Sequence, residues 1–391
     1  MLPSQNILDP GEDLTMKVTV LQENLAHGLG IVARAVSPRT TLPVLSNVLI
    51  ATDEGRLRLS ATNLELGITC WIGAKVEEEG STTAPARTFS DLVSTLPSGP
   101  VSLSLDVATQ TLNVRCGTSN TDIKCIDAQE FPPLPVAEAD EAILLKVTDF
   151  KEMVQQVAFA ASQDEARPVL MGVLVTVEND QIVMAAADGF RLSERRATLS
   201  QPAPRPVNVI IPARALNELA RIAGDGEENV AMMLPKGRGQ VIFRLKDVEV
   251  VSQLIDGTYP DYKQIIPRAC KSRTILPTLA MLKACKQAEI FAREGSNVAR
   301  LNIKSAGEAE PGEVEISAHA EETGSNETVV AATVEGQGLL IAFNVRFLRE
   351  VLEVIKTPNV ALETTAPNAP GVIRPVGDDS FVHVIMPMHL G

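Results

Sequence analysis

The side chains that could do chemistry come first. The chain has four histidines, His27, His319, His383 and His389, and no two of them form an HExxH or other zinc-ligating spacing. Five cysteines, Cys70, Cys116, Cys125, Cys270 and Cys285, make an odd number without a CxxC, which reads as reduced thiols of a cytosolic protein. Neither GxxxxGK[ST] nor GxSxG occurs. The glycine-rich "GDGEEN" at 224–229 follows a helix pattern rather than a strand, as a helix C-cap does. Carboxylates are abundant but form no paired motif. These features point to a protein that is not an enzyme and needs no metal or cofactor. What recurs instead is arginine. Arg87, Arg214 and Arg346 stand near the starts of three similar helix patterns, and cations repeat seven residues apart at Arg214/Arg221, Lys286/Arg293 and Arg349/Lys356. Seven residues are two helical turns, so each pair is expected on one face. A row of cations of this kind suits a phosphate backbone read without regard to base sequence.

The elements that must position these arginines are repeated. "PARTFSDLVSTLPSG" at 85–99 and "PARALNELARIAGDG" at 212–226 are near copies, and "FNVRFLREVLEVIKTPN" at 343–359 is a third. In each, apolar residues fall on one stripe: Phe89, Leu92, Val93 and Leu96; Leu216, Leu219, Ile222 and Ala223; Phe347, Leu348, Val351, Leu352 and Ile355. Other landmarks keep the same order and a step of nearly 130 residues: "TLPVLSNVLI" with "RPVLMGVLV" and, more weakly, "NVARLNI"; "SATNLEL" with "AADGFRL"; "DAQEFPPL" with "DGTYPDY". Each unit also opens with a helix pattern, at 21–36, 148–161 and 277–294. Alternating runs such as "GRLRLSAT", "QIVMAAAD" and "QVIFRLKD" between turn signals at Asp53–Gly55, Asn179-Asp180 and Lys236–Gly239 predict hairpin strands. The expected architecture is α+β, three homologous domains, each with two helices against antiparallel sheets. The boundaries are 16–137, 138–268 and 269–391, after a flexible extension at 1–15 that precedes Met16.

Net charge is −14, which by itself argues against nucleic acid. The average hides a split. The six helix segments carry eleven cations and nine anions, and the rest of the chain 24 cations and 40 anions. Either the helices line a mildly positive track on an acidic body, or these are the ordinary solvated faces of amphipathic helices. Nothing resembles a signal peptide, and no run approaches the roughly 18 apolar residues of a membrane span.

The sequence resembles the bacterial DNA polymerase III β subunits, the sliding clamps. The segments that carry the likeness are "RTTLPVLSNVLI", "TTAPARTF", "ADGFRLSE", "VSQLIDGTYPDY", "IAFNVRFLREVLEVIK" and "VIMPMHL", in order along the chain. The resemblance implies the DNA clamp fold, a head-to-tail homodimer closing a six-domain ring, and duplex DNA encircled through the hole. It implies a cytoplasmic processivity factor that tethers the replicative polymerase, the clamp loader and repair proteins by short peptide motifs, with no membrane role. A DNA-binding regulator that is not a ring is the alternative. That rival would want a basic domain with a recognition helix, and neither is evident.

Carried over by motif, Arg39, Arg87 and Arg167 correspond to DNA-facing arginines, beside the helix cations Arg214, Arg221, Lys286 and Arg349. Pro168 and Val169 follow Arg167 where the family often has aromatic residues. The partner-peptide pocket corresponds to Leu170, Ala187, Gly189, Phe190, Arg191, Leu192, Pro212, Leu216, Val384, Ile385, Met386, Pro387, Met388, His389 and Leu390. A peptide with Gln, Leu and a terminal Phe-type anchor is the expected occupant. Phe190 replaces a common histidine there, and His389 a usual arginine. Ile290 and Phe291 would meet Ile123 of a second copy at the ring junction.

Overall fold

The computed structural model describes residues 16–37, 40–135, 141–224, 229–235, 237–307 and 311–389. The expected extension at 1–15, the proposed boundary at 137–138, Arg39 and Leu390 lie outside the described residues. Six α-helices are described: α1 (Gln22–Val32), α2 (Ala86–Thr95), α3 (Val147–Val157), α4 (Ala213–Ile222), α5 (Thr278–Ala292) and α6 (Val345–Val354). They coincide with the six expected segments. Each begins at the residue after a strand ends: β1 (Lys17–Leu21), β5 (Ser81–Pro85), β9 (Ile143–Lys146), β13 (Val207–Pro212), β17 (Ser272–Pro277) and β22 (Leu339–Asn344). The apolar stripes are the reason these helices form where they do. Phe89 and Val93 of α2, Leu216 and Leu219 of α4, and Leu348, Val351 and Leu352 of α6 are buried. Asn344 caps α6 by accepting a hydrogen bond from the Arg346 backbone N–H at 3.1 Å.

One helix end differs from the sequence expectation. α6 stops at Val354, so Lys356 lies beyond the helix, and the two-turn argument for Arg349/Lys356 fails. α5 passes into a 3₁₀ turn at Arg293–Gly295, but Arg293 keeps helical φ and ψ and its N–H still bonds the Glu289 carbonyl, so it stays in phase with Lys286.

The chain packs as two compact units, residues 1–141 with 222–253, and residues 142–221 with 254–391. The division does not follow the repeats, because sheets run from one repeat into the next. In the first unit, β4 (Leu66–Glu78) pairs on one side with β1 and on the other with β16 (Val248–Gln253), in register Val248↔Cys70 to Ser252↔Leu66. Beyond β1 follow β6 (Pro100–Asp106), β7 (Thr111–Cys116) and β8 (Ser119–Lys124), which ends the sheet. The first hairpin turn carries Glu54 and Gly55 at φ 48° and 75°, as its Asp53–Gly55 signal requires. Gly28 of α1 is needed for packing: a Cβ there would lie 2.9 Å from Leu59 Cδ1 and 3.1 Å from Ile72 Cγ2.

In the second unit a nine-stranded sheet runs β13, β10 (Gly172–Glu178), β11 (Gln181–Ala187), β12 (Arg191–Thr198), β25 (Phe381–Ile385), β24 (Gly371–Pro375), β23 (Asn359–Thr364), β17 and β21 (Thr333–Gly336). The seam between the second and third repeats is the β12–β25 pair. A separate four-stranded sheet orders β20 (Gly324–Ala331), β19 (Glu313–Ala320), β18 (Val298–Lys304) and β22. The third repeat's core lies between α5, α6 and these sheets, with Phe343, Leu301, Ile316, Cys285 and Leu348 at its centre. Helices α5 and α6 pack on each other, and Gln156 of α3 donates to the Val354 carbonyl at 3.2 Å.

Candidate functional site

The β12–β25 seam positions the candidate pocket. Leu192 pairs with Val384 and Arg191 with Ile385. The ladder continues where the Met386 N–H donates to the Phe190 carbonyl at 2.8 Å, and the Met388 N–H donates to the Ala342 carbonyl at 2.8 Å. An apolar cluster containing Ala185, Leu192, Ile210, Val372, Val382 and Val384 lies here, with half-buried Leu170 and Ala187 packed on it. Phe190 and Met386 are exposed large apolar side chains. Such a patch on an acidic protein is a place for an apolar partner.

The turn that presents Phe190 is fixed by Asp188. Its carboxylate accepts from the backbone N–H groups of Phe190 (2.9 Å) and Arg191 (3.0 Å), and from Arg191 Nε (3.0 Å). Gly189 supplies φ 93°, which a side chain would strain. Arg167 donates Nη1 to the Asp188 carbonyl at 3.2 Å and Nε to Asp164 at 3.0 Å, so this expected DNA contact also braces the turn.

Two pocket assignments, Leu216 and Arg191, need correction. Leu216 is fully buried in the inward stripe of α4 and offers no surface to a ligand. Pro212 ends β13, half-buried and paired with Gly172. The Arg191 side chain is only 8% exposed because its guanidinium serves the fold. It bridges Glu350 through Nη1, donates Nη2 to the Phe159 carbonyl at 2.7 Å, and lies 4.2 Å from the Phe347 ring centroid and 5.3 Å from that of Phe159. Leu192, Val384 and Ile385 are buried and can only back the site; Pro387 and Met388 are half-buried and His389 exposed.

Sequence reasoning missed Tyr259, Tyr262 and Ile265. Tyr259 and Tyr262 belong to the same apolar cluster, with Ile255 and Ile266 packed on it, and Ile265 is exposed between them in sequence. The Tyr259 hydroxyl accepts from the Ala187 N–H at 2.9 Å, and burial pushes that phenol up to about 12. Tyr262 donates to the buried Glu194 carboxylate at 2.6 Å. The repeat held the signal. Phe131 of "DAQEFPPL" clusters with Val44 and Leu45 of "TLPVLS", as Tyr259 of "DGTYPDY" clusters with Val169 and Leu170 of "RPVLM".

Next to the seam, His383 is fully buried, stacked on Phe159 at 5.4 Å between centroids, with Nδ1 2.6 Å from Ser193 Oγ. Burial, then the nearby Arg191 charge, push it well below the ordinary imidazole value, so it is neutral.

The phosphate-facing candidates separate into two groups. Arg87 is 96% exposed with its nearest carboxylate, Asp91, at 3.8 Å. Arg214 is exposed and has no ion pair among the described residues. Arg221 pairs with Glu218 and Lys286 with Glu353, both at 3.0 Å, while remaining more than half exposed. Arg349 is different. Its side chain is 22% exposed and is held by Glu289 (2.6 Å), Glu353 (2.8 Å) and Glu350 (3.7 Å). Three carboxylates on α5 and α6 already offset its charge, so it is a packing cation rather than a free phosphate ligand. At the expected junction, Ile290 is 61% exposed and Phe291 half-buried against the third repeat's core. Ile123 is 5% exposed, a core residue of its own sheet opposite Leu112, and presents little surface in the single chain.

Among the described residues no three His, Cys, Asp or Glu are placed to hold a metal ion, and no helix is long and apolar enough to cross a membrane.

Comparison with known proteins covers nearly the whole chain. Family models of the DNA polymerase III beta subunit match in order: the N-terminal domain at residues 16–135, the central domain at 144–261 and the C-terminal domain at 263–389. The beta sliding clamp of Bacillus subtilis is 33% identical over 384 residues, 95% of this chain and 99% of its own length. That of Synechococcus elongatus is 34% identical over 379 residues, 96% and 100%. The solved DNA polymerase sliding clamp of B. subtilis superposes with a TM-score of 0.90 at 31% identity, covering 96% of this chain and 100% of that one. A sliding clamp of Pseudomonas aeruginosa bound to griselimycin gives 0.88 at 27% identity, with 96% and 100% covered.

Proposed function

Because this chain belongs to the DNA polymerase III beta subunit family, the beta sliding clamps, we propose that two copies close head to tail into a six-domain ring around duplex DNA. The protein is a DNA polymerase processivity factor. The observation that carries the ring is the match of three successive clamp domains over the whole described chain. Physical features support it. Strands β8 and β20 each have one sheet partner among the described residues, so each leaves an edge that another chain can extend. Exposed Ile290 and Val329, on α5 and β20, add apolar surface beside one of those edges. A closed head-to-tail pair leaves neither edge free.

The ring holds DNA by topology, so its contacts can be few and weak. Arg87 and Arg214 meet phosphates, which carry no sequence information, and the ring slides. The acidic remainder of the chain keeps nucleic acid off other surfaces. The apolar surface around Leu170, Ala187, Phe190, Ile265 and Met386 docks short peptide tails of the replicative polymerase, the clamp loader and repair proteins in the cytoplasm. The clamp contributes tethering and no bond chemistry. The decisive measurement is retention after loading on nicked circular DNA, followed by linearisation. Release on cutting is expected; equal retention on both forms would replace the ring with an ordinary binding mode.

A further inference from the structure

A second concavity adjoins the apolar cluster within the same compact unit. Residues 267–270 run past the β23–β24 hairpin and enclose a pocket of about 260 Å³, lined by Arg268, Cys270, Glu363, Pro370, Val372 and Arg374, among others. Its walls are held by the Lys271 N–H on the Thr364 carbonyl at 2.9 Å and by the Thr365 hydroxyl on the Ala269 carbonyl at 3.4 Å. Val372 belongs to the pocket lining and also to the apolar cluster that carries Leu170 and Ala187, so the two sites are continuous.

The charge here runs against the rest of the molecule. Glu363 is shared by Arg374 (3.3 Å) and Arg273 (3.7 Å). Arg273 also reaches Glu335 at 3.7 Å. Arg268 is exposed and has no ion-pair partner among the described residues, and Lys271 follows it in sequence. The pocket lining thus holds two cations, Arg268 and Arg374, against one carboxylate, Glu363, on a chain of net charge −14. The volume admits one or two side chains, not a folded partner. Arginine favours carboxylates through its forked donors, and the acidic body repels them elsewhere.

From this continuity and charge, we propose that the pocket receives acidic side chains flanking the apolar anchor of a partner peptide seated over Leu170, Ala187 and Phe190. The proposal rests on the peptide-docking reading above and adds a selection among peptides. Those with Asp or Glu beside the anchor are preferred, and the preference weakens with salt.

The probe is a fluorescein-labelled peptide with a Leu and Phe anchor and three flanking Glu, compared with the same peptide carrying three Gln. Anisotropy with the full-length protein at low salt should show the Glu peptide binding about fivefold tighter, the scale of one or two partly exposed ion pairs. Arg268→Glu should erase or invert the ratio, Arg268→Lys should keep most of it, and the Gln peptide should bind all three proteins alike. Arg268 lies in an exposed loop, so these variants fold. A bromoacetyl group in the acidic flank should alkylate Cys270: its sulfur displaces bromide, the carbon–bromine bond breaks, and the thiol proton passes to buffer. Cys270→Ser should abolish that adduct. Equal affinity for both peptides would overturn this inference and leave the docking site standing. No binding of either would overturn the docking site and this inference together.

Discussion

Replacing Arg191 by alanine should cost the second compact unit about 5 kcal/mol. The side chain is a three-way brace between the Asp188 turn, the chain after α3 and helix α6. Alanine removes its bonds to Asp188, to Glu350 and to the Phe159 carbonyl, and two ring contacts with Phe347 and Phe159. Hydrogen bonds to charged groups contribute about 1.5–3 kcal/mol each and cation–π contacts about 0.5–2. Compensation limits the total. Glu350 keeps Arg346 at 2.8 Å, and Asp188 keeps two backbone donors, so the low end of each range applies. In a unit of this size that is a fall in Tm of about 10 °C, measurable by circular dichroism. Lysine should recover little, because one ammonium cannot serve three diverging acceptors. A pH series gives an independent reading. Burial pushes the Glu350 carboxyl up, but hydrogen bonds from Arg191 and Arg346 outweigh it and hold the group below its ordinary value of 4.5. Its contribution is therefore complete above that value and is lost as pH falls through the lower folded value. Wild type and Arg191→Ala should converge in acid. An Arg191→Ala protein within 1 kcal/mol of wild type at neutral pH would refute the brace.

The buried neutral His383 makes stability fall below pH 6.5, where the unfolded chain takes up a proton and the folded one does not. The slope is about 1.4 kcal/mol per pH unit, so unfolding free energies from urea titrations at pH 7 and 5.5 should differ by about 1 kcal/mol more in wild type than in His383→Gln. Arg214→Glu should leave folding intact and shorten retention on circular DNA. Arg349→Glu should instead destabilise the protein by about 3 kcal/mol, because it adds a fourth carboxylate to Glu289, Glu350 and Glu353; an equal, purely DNA-binding effect of the two would contradict the division drawn here. Ile290→Asp should give folded monomers by sedimentation, its side chain being exposed within the single chain. Phe190→Ala should weaken anchor-peptide binding several-fold by anisotropy with no change in Tm, a cleaner test than removing the tail, since Met388 pairs with Ala342.

The threefold repeat, the six helices and the hairpin strands were legible in the sequence, because helical phase and strand alternation are local properties. The stripe Phe347, Leu348, Val351 and Leu352 needs only its own spacing to declare a helix. So does the Asp53–Gly55 turn, whose positive φ angles depend on the residues that occupy it. The family likeness was legible for the same reason, as short segments in a fixed order. What each helix cation does was not. Arg214 and Arg349 both stand among the polar residues of a repeated amphipathic helix, yet one has no ion pair among the described residues and the other is enclosed. The difference is set by Glu289, sixty residues away in sequence, which tertiary packing brings to 2.6 Å. Arg191 looked like a pocket ligand until the Phe159 carbonyl and Glu350, from elements far apart in the chain, took its donors. Leu216 and Leu170 are both leucines of the second repeat, and only packing decides that the first is sealed in its own stripe while the second faces the seam. Ile123 joined the core by pairing opposite Leu112. Burial and ion pairing are decided by neighbours that sequence spacing does not contain.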